Sequence, residues 1–253
     1  MEQRAIETLA ARLKAAARIT VMTGAGVSAA SGVPTFRGPQ GLWRRFRPED
    51  LATPEAFEHD PALAWEWYAW RRGLIAQCEP NAAHHVIARW SRTLGCRVVT
   101  QNVDDLHHSA GTEDVVRLHG SIWDLSCWNG RVEGVCPAGA VPWRNERVPL
   151  PDLPPTCPHC GGLARPAVVW FGESLDARDL DRAVAATACD VFITAGTSSV
   201  VYPAAGLVHR AGRAGAFTVE INVEATEASS LVDLAITAAV EQVLPAVDAL
   251  LGA

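Results

Sequence analysis

The fold is decided by the stretch Ile19-Thr20-Val21-Met22-Thr23-Gly24-Ala25-Gly26-Val27-Ser28 of this 253-residue chain. Its first half is apolar and β-branched, which predicts a short buried strand. Its second half turns at two glycines and leads into a predicted helix. Glycines at such a junction let the backbone approach a phosphate, and a helix N-terminus favours negative charge. On this stretch alone, dinucleotide binding and a structural turn are equally good interpretations, because the spacing is not G-x-G-x-x-G.

The same sequence of strand and polar turn recurs along the chain. Helical segments at residues 82–93 and 180–187 lie between several of the predicted strands. This alternation predicts an α/β fold with a doubly wound parallel sheet, similar to a Rossmann fold. Ligands bind such sheets beyond the carboxyl ends of the strands, so the polar turns there mark a candidate active site. The further strands are expected at residues 97–100, 115–118, 190–195 and 217–221.

Two stretches break this alternation. Residues 38–81 are rich in tryptophan, arginine and proline, whereas residues 122–172 hold eight prolines and four cysteines. Proline at that density excludes long helices from the second stretch. We therefore predict one domain over residues 1–253 with a smaller inserted lobe, made of a helical segment and a cysteine-rich module. The large lobe would comprise residues 1–37, 82–121 and 173–253, and the small lobe residues 38–81 and 122–172.

Composition and charge exclude several classes of protein. A formal net charge of -6 argues against a protein that coats nucleic acid. The apolar runs are too short to span a bilayer, and the N-terminal residues begin no hydrophobic signal core. We therefore expect a cytoplasmic protein with neither a membrane nor a nucleic-acid partner. Seven cysteines, an odd number in a chain of this length, argue against a disulfide scaffold.

Five separated motifs together resemble the sirtuin family. The glycine stretch continues through Gly32-Val33-Pro34-Thr35-Phe36-Arg37, and the other motifs follow in the family's order over nearly the whole chain. The resemblance implies an enzyme that removes acyl groups from lysine side chains. NAD would be consumed as a co-substrate, with nicotinamide, O-acyl-ADP-ribose and free lysine as products. The other motifs are Gln101-Asn102-Val103-Asp104, His119-Gly120 and Gly196-Thr197-Ser198.

The resemblance also implies which residues hold NAD. The glycine stretch would hold the phosphates, and Phe36 would shield the nicotinamide ribose. Without the resemblance, a core position would explain Phe36 and a capped turn would explain Asn102 and Asp104. Ala238 departs from the glycine that the family often has near the last adenine contact. The expected NAD residues are Gly24, Ala25, Gly26, Ser28, Phe36, Arg37, Gln101, Asn102, Asp104, Gly196, Thr197, Ser198, Asn222, Glu224 and Val240.

His119 is the expected catalytic base, with Asn102 as a second catalytic residue. Histidine titrates near neutral pH, so it can activate a ribose hydroxyl without a large pKa shift. Among the eight histidines, His119 stands at a predicted strand end and precedes a glycine. The four at His84, His85, His107 and His108 lie in helix-like stretches and are better explained as structural or solvated.

Tyr68 and Arg71 indicate which acyl group is removed. Three residues apart on a predicted helix, they share a face, and a phenol with a guanidinium can bind a carboxylate. Class III sirtuins carry such a pair and prefer succinyl-, malonyl- or glutaryl-lysine, and the small Ala52 would leave room for the longer acyl chain. Acetyl removal is expected as a second activity. For a helix considered alone, a packed tyrosine beside an exposed arginine would be the better explanation.

The stretch Val168-Val169-Trp170-Phe171-Gly172-Glu173 resembles the family strand that pairs with the substrate peptide. Such edge pairing gives affinity with little reading of the peptide sequence. A plain buried strand is the alternative, and it explains the valines but not the Phe-Gly-Glu ending. The expected substrate-binding residues are Ala52, Tyr68, Arg71, Val168, Trp170, Phe171, Gly172 and Glu173.

Four cysteines of the proline-rich stretch suggest a structural zinc site. Cys157-Pro158-His159-Cys160 is one half of a zinc knuckle, and sirtuins normally supply two C-x₂-C pairs. Here Cys127 stands where the first pair begins, but Gly130 occupies the second position and the next cysteine is Cys136. Either the site is degraded, or a longer loop completes it. We favour a bound zinc held by Cys127, Cys136, Cys157 and Cys160, with His159 as the alternative ligand.

Two other functions remain open on the same fold. One is mono-ADP-ribosyl transfer or NAD hydrolysis, against which Tyr68 and Arg71 argue. The other is a non-enzymatic NAD-binding regulator, against which His119 and Asn102 argue. The glycine spacing and the lack of an acidic ribose partner disfavour a dehydrogenase. A monomer is expected because the catalytic domains of the family are often monomeric.

Overall fold

The computed structural model describes residues 2–36, 41–42 and 47–252. Arg37, one of the expected NAD residues, lies outside them. The strands are β1 (Ile19–Thr23), β2 (Arg97–Thr100), β3 (Val115–Arg117), β4 (Gly120–Cys127), β5 (Trp143–Arg144), β6 (Ala164–Val168), β7 (Val191–Ala195), β8 (Phe217–Asn222) and β9 (Leu234–Thr237). The α-helices are α1 (Glu2–Ala15), α2 (Pro48–Leu51), α3 (Pro54–His59), α4 (Pro61–Ile75), α5 (Ala82–Thr93), α6 (Leu106–Ser109), α7 (Ala177–Ala186), α8 (Gly206–Arg213) and α9 (Val240–Leu251).

Six parallel strands form the main sheet, in the order β3-β2-β1-β7-β8-β9. Strands β1 and β7 are buried at every residue, as their apolar, β-branched sequences predict. The strand order reverses between these two neighbours, so their carboxyl ends flank the crevice where such sheets bind ligands. The predicted doubly wound parallel sheet is confirmed.

Helices cover both faces of this sheet. On one face α1, α5 and α9 bury a common apolar cluster that includes Leu9, Trp90 and Leu244. On the other face α8 packs over β7 and β8, and α7 packs over β2 and β3, through residues such as Leu207 and Ala183. The predicted helix at residues 82–93 is confirmed as α5. The sequence pattern predicts neither β9 nor α9, because the four-residue strand is only partly buried and Pro245 interrupts the helical sequence.

A second sheet lies in the cysteine-rich part of the chain. Its three antiparallel strands follow the order β5-β4-β6, and α4 packs against β4. Within the described part of residues 122–172 there is no α-helix, which agrees with the density of prolines there. The division into two lobes stays a prediction. Among the residues that the structure describes, no helix combines the length and apolar character that a bilayer span requires.

Arg72 ties α4 to the second sheet. Only 1% of this residue is exposed. Its guanidinium donates to the carbonyl oxygens of Ile122 (2.8 Å), Asn145 (2.5 Å) and Arg147 (3.2 Å). The same group lies 5.1 Å from the ring centre of Trp123. One buried cation therefore donates hydrogen bonds to three backbone carbonyls, one in β4 and two in the segment after β5.

Replacing Arg72 tests how much its hydrogen bonds to the three carbonyls stabilise the fold. We expect Arg72→Met to lower the free energy of unfolding by about 3 kcal/mol, because three carbonyl oxygens lose their charged donor. Urea denaturation followed by circular dichroism measures the change. Arg210→Met, at an exposed position on α8, is the matched control and is expected to change stability by less than about 0.5 kcal/mol. Equal stability of the two variants would contradict the assignment.

Candidate active site

Two glycine-containing loops interlock at the carboxyl ends of β1 and β7. The glycine loop, Gly24-Ala25-Gly26, continues into a 3-10 helix at Ala25–Ser31. The Gly24 amide donates to the carbonyl of Ala195 at 3.0 Å, and the Gly26 amide donates to that of Gly196 at 2.7 Å. A Cβ atom on Gly26 would lie 2.8 Å from the Cα of Gly196, and one on Gly196 would lie 2.4 Å from the Val27 nitrogen. Side chains are therefore excluded from this contact.

Polar side chains after β2 bind to both loops. The side-chain amide of Gln101 donates to Thr197 Oγ1 at 3.0 Å. The side-chain amide of Asn102 donates to the Gly24 carbonyl at 3.0 Å and to Ser28 Oγ at 3.1 Å. Ser28 donates in turn to the Asp104 carboxylate at 2.7 Å. Burial raises the pKa of the Asp104 carboxyl, although hydrogen bonds from Leu106 and Ser28 lower it. These residues form a buried network behind the glycine loop.

His119 lies where β3 ends and β4 begins. Its Nδ1 is 2.9 Å from the carbonyl oxygen of Gln101. Because a carbonyl only accepts, Nδ1 carries the proton in this bond, and the neutral ring keeps its lone pair on Nε2. Burial lowers the pKa of His119, although the bond to Gln101 raises it. The ring is therefore neutral at pH 7 and is able to accept a proton at Nε2.

A cavity of about 880 Å³ joins these strand ends to the second sheet. Ser28 and Asp104 do not line it; they lie behind Asn102 and hold that side chain in place. The other expected NAD residues that the structure describes line its wall, namely Gly24, Ala25, Gly26, Phe36, Gln101, Asn102, Gly196, Thr197, Ser198, Asn222, Glu224 and Val240. His119 lines the cavity as well. The volume lies within the usual range for ligand pockets.

Ala52, Tyr68, Arg71 and Trp170 line a part of the cavity that we call the acyl end, because these residues are expected to bind the acylated substrate. Tyr68 is 3% exposed and Arg71 is 5% exposed. The Arg71 guanidinium lies 4.6 Å from the ring centre of Phe36 and 4.9 Å from that of Trp67. Burial lowers the pKa of Arg71 to about 10, partly offset by Tyr68 and Asp104, so the side chain stays cationic at neutral pH. Within the described part of the chain it makes no hydrogen bond or ion pair.

The interpretation of residues 168–173 as one strand is wrong after the first residue, because β6 ends at Val168. The amides of Val169 and Phe171 donate to the carbonyls of His119 and Ala52, and the Trp170 amide donates to the Glu173 carboxylate at 2.9 Å. The Val169 bond still lies beside β4, whereas the bonds of Trp170 and Phe171 go to partners outside the second sheet. Val168, Trp170, Phe171, Gly172 and Glu173 nevertheless all line the cavity.

The four cysteines predicted to bind zinc come together. Their sulfur atoms all lie within 4.8 Å of one another, with Cys127 and Cys160 at 3.5 Å and Cys136 and Cys157 at 3.9 Å. Tetrahedral zinc with Zn–S bonds of about 2.3 Å places its sulfurs about 3.8 Å apart. The cluster therefore fits a structural zinc ion. His159 is not part of the cluster formed by the described residues.

The structure explains why the first cysteine pair is interrupted at Gly130. A Cβ atom at this position would lie 1.9 Å from the carbonyl oxygen of Gly139. A cysteine at 130 would therefore collide with the backbone of the loop that carries Cys136. That loop instead brings Cys136 to the ligand position.

Comparison with known proteins identifies the family. A model of the Sir2 family matches residues 24–203. This chain belongs to the Sir2 family. An NAD-dependent protein deacylase of Aquifex aeolicus is 47% identical to it over 222 residues, 85% of this chain and 87% of the relative. NAD-dependent protein deacylase 2 of Pyrobaculum aerophilum is 49% identical over 227 residues, 89% of this chain and 87% of the relative.

Solved structures of Sir2 proteins superpose closely on this Sir2 family chain. A mutant Sir2 homologue in complex with ADP-ribose has a TM-score of 0.90 at 39% identity, covering 97% of this chain and 96% of that one. A Sir2 homologue in complex with NAD has a TM-score of 0.86 at 40% identity, covering 96% and 93%. The resemblance inferred from the motifs is confirmed.

Several residues of the cavity wall were missed in the sequence. Trp67 lies on α4 and lines the cavity, and the Arg71 guanidinium lies 4.9 Å from its ring centre, but it was not among the expected site residues. Tyr202, Val223 and Glu241 line the cavity as well. Their positions next to recognised motifs were the available signal.

Removing one sulfur tests the zinc site of this Sir2 family protein. We expect Cys157→Ala to lose about one equivalent of zinc and to melt at a lower temperature, because metal binding contributes to folding. Metal analysis by mass spectrometry and thermal denaturation measure both effects. Cys189→Ala changes a buried cysteine outside the cluster and is expected to keep the metal. Full zinc in Cys157→Ala would rule out the four-cysteine site.

Two histidines behind the site predict a loss of stability in acid. His84 Nε2 lies 3.4 Å from Ser28 Oγ, and His107 Nε2 lies 2.8 Å from Thr23 Oγ1. Burial lowers the pKa of His84 to about 3 and that of His107 to about 4. The unfolded chain binds these protons near pH 6.5, so it binds more protons than the folded chain below that pH. The contribution is complete above pH 6.5 and is lost as the pH falls toward 4.

His84→Gln should therefore make the free energy of unfolding less dependent on pH. We expect the slope between pH 6 and pH 4 to fall by up to about 1.4 kcal/mol per pH unit, the value for one proton. Urea denaturation at a series of pH values gives the slope. His85→Gln, at an exposed position on the same helix, serves as the control. An unchanged slope in His84→Gln would show that another group causes the acid sensitivity.

Proposed function

We propose that this protein is an NAD-dependent protein-lysine deacylase that prefers succinyl, malonyl or glutaryl groups and also removes acetyl groups. The observation that carries the acyl preference is a buried guanidinium, that of Arg71, which faces the cavity beside Tyr68. Within the described residues it has no hydrogen bond or ion pair, so a ligand carboxylate is the partner it lacks. Burial of a cation that has no hydrogen-bonded anion is costly, and a bidentate carboxylate offsets that cost.

Relatives and the cavity support the reaction class. Curated relatives with 47% and 49% identity are NAD-dependent protein deacylases, and structural relatives have been solved with NAD and with ADP-ribose. One further Sir2 structure holds a myristoylated histone peptide. Acylated proteins are therefore the proposed partners. The monomeric state and the cytoplasmic location stay predictions.

The residues at the strand ends fit NAD. The glycine loop lines the cavity at the start of a 3-10 helix, the kind of backbone turn that favours a phosphate. Asn222 and Glu224 would hold the adenosine half, and Gln101 and Asn102 the nicotinamide half. When bound, NAD supplies the glycosidic bond to nicotinamide that is broken during the reaction.

His119 supplies the base. The bond from Nδ1–H to the Gln101 carbonyl holds the ring and leaves Nε2 toward the cavity as an acceptor. Because burial keeps the ring neutral at pH 7, Nε2 is ready to take the proton of a ribose hydroxyl. Asn102 is fixed by two hydrogen bonds of its own amide, so its carbonyl oxygen is oriented before any ligand binds.

The aromatic contacts of Arg71 favour anion binding. The rings of Phe36 and Trp67 pack against the Arg71 guanidinium. Because a guanidinium donates its hydrogen bonds in its own plane, these contacts leave its N–H groups available to an anion. Ala52 contributes little bulk to this end of the cavity. An acyl chain ending in a carboxylate therefore has room beside Ala52 and can bind both the guanidinium of Arg71 and the hydroxyl of Tyr68.

Matched peptides test the proposal. We expect NAD-dependent removal of succinyl from lysine to exceed removal of acetyl, measured by mass spectrometry on peptides differing only in the acyl group. Arg71→Met should lower kcat/KM for the succinyl peptide by about 100-fold, since hydrogen bonds to charged groups contribute about 1.5–3 kcal/mol, and should lower that for the acetyl peptide far less.

The base is tested in the same assay. His119→Ala should reduce both activities by about 10²- to 10⁴-fold, the usual contribution of a positioned base. His108→Ala removes an exposed histidine of α6 and controls for the substitution itself. Removal of acetyl alone would refute the carboxylate preference, and turnover of neither peptide would refute the deacylase assignment.

A further inference from the structure

Trp170 makes a hydrogen bond whose direction determines what Tyr68 can do. Its indole Nε1 lies 2.8 Å from the Tyr68 hydroxyl oxygen. An indole nitrogen is a donor only, whereas a phenol carries one O–H donor and accepting lone pairs. In this bond Trp170 therefore donates and Tyr68 accepts. The phenol proton is left for another acceptor, and no described residue is found to accept it.

The indole is held firmly in this position. Trp170 is 2% exposed, and the guanidinium of Arg165 lies 3.5 Å from its ring centre. Arg165 also donates to both carboxylate oxygens of Glu173, at 2.5 Å and 2.8 Å. Glu173 in turn accepts from the Trp170 amide at 2.9 Å. Both the backbone and the ring of Trp170 are therefore fixed by the same ion pair.

Tyr68 keeps its proton. Burial raises the pKa of Tyr68 to about 12, although Arg71 and the bond from Trp170 lower it. The hydroxyl is therefore protonated at any pH suitable for an assay. Beside it stands Arg71, which has only donors. With the Tyr68 oxygen already accepting from Trp170, both groups offer hydrogen-bond donors to a ligand.

We infer that Trp170 is a specificity-determining residue, which orients Tyr68 as a donor so that the acyl end selects acyl chains terminating in an acceptor-only anion. This inference rests on the proposed acyl preference. A carboxylate satisfies both donors, whereas a terminal carboxamide of the same shape brings N–H groups to a guanidinium that has no acceptor and to a Tyr68 oxygen that already accepts from Trp170. Unpaired N–H groups in the bound carboxamide add a desolvation penalty to the loss of the charge interaction with Arg71. Trp170 acts through Tyr68 and is a positioning residue for the reaction.

The test compares three peptides that carry succinyl-lysine, the terminal carboxamide analogue of succinyl-lysine, and acetyl-lysine. We expect Trp170→Phe to lower the ratio of kcat/KM between the succinyl and carboxamide peptides by about 5- to 10-fold, mainly through KM for the succinyl peptide. In a Tyr68→Phe background the same substitution should change the ratio by less than about twofold, because the hydroxyl it orients is gone.

Trp128→Phe is the matched control. Trp128 belongs to the same aromatic cluster, with its ring centre 6.2 Å from that of Trp170, but it makes no hydrogen bond to Tyr68. The chain has two tyrosines, Tyr68 and the exposed Tyr202. With ¹³Cζ-labelled tyrosine, the NMR signal of Tyr68 should therefore shift in Trp170→Phe and stay in place in Trp128→Phe.

The outcomes separate this inference from the proposed function. A wild-type enzyme that does not prefer succinyl over acetyl overturns both. A ratio between the succinyl and carboxamide peptides that is unchanged in Trp170→Phe, or a fall in kcat/KM by the same factor on all three peptides, overturns only the role of Trp170. An additive effect of the two substitutions on the ratio does the same, because it shows that Trp170 does not act through Tyr68.

Discussion

The architecture depends on a contact in which two backbones touch and no side chain fits. Gly26 donates to the Gly196 carbonyl at 2.7 Å, and a Cβ atom on either residue would overlap the opposite loop. This contact joins the ends of β1 and β7, the neighbours at which the strand order reverses. The Asn102 and Gln101 amides then bind to these same two loops. The position of His119 follows, because its ring is held by the Gln101 carbonyl.

The sequence could predict the features that depend on residues close together in the chain, namely the strands, the polar turns after them and the cysteine cluster. Buried strands followed by polar turns located the carboxyl edge of the sheet, and hence the cavity wall around the glycine loop. Cysteine spacing predicted the four-cysteine cluster even though Gly130 interrupts the pattern. In each of these cases the strand or turn that places the side chain is adjacent to it in the chain.

Contacts between distant residues could not be predicted in the same way. Ser28 and Asp104 are 76 positions apart, and only the folded chain shows that they support Asn102 from behind instead of lining the cavity. The end of β6 depends on Glu173, whose carboxylate binds the Trp170 amide and the Arg165 side chain. The apolar run through residue 170 contains no sign of that turn. Likewise, Tyr68 and Trp170 meet across 102 positions.

The stacking of Arg71 on Phe36 connects two binding events. Arg71 is the proposed anchor of the acyl group, whereas Phe36 belongs to the loop expected to cover the nicotinamide ribose, and 4.6 Å separates the guanidinium carbon from the ring centre. The residue proposed to bind the acyl group thus touches the residue expected to cover the ribose of NAD. The affinities for the two ligands are therefore linked in one thermodynamic cycle. Whatever factor an acyl carboxylate imposes on NAD affinity, NAD must impose on the affinity for that acyl group. Selectivity among acyl groups is therefore a joint property of the enzyme and its co-substrate, and it varies with NAD concentration whenever that factor differs between acyl groups.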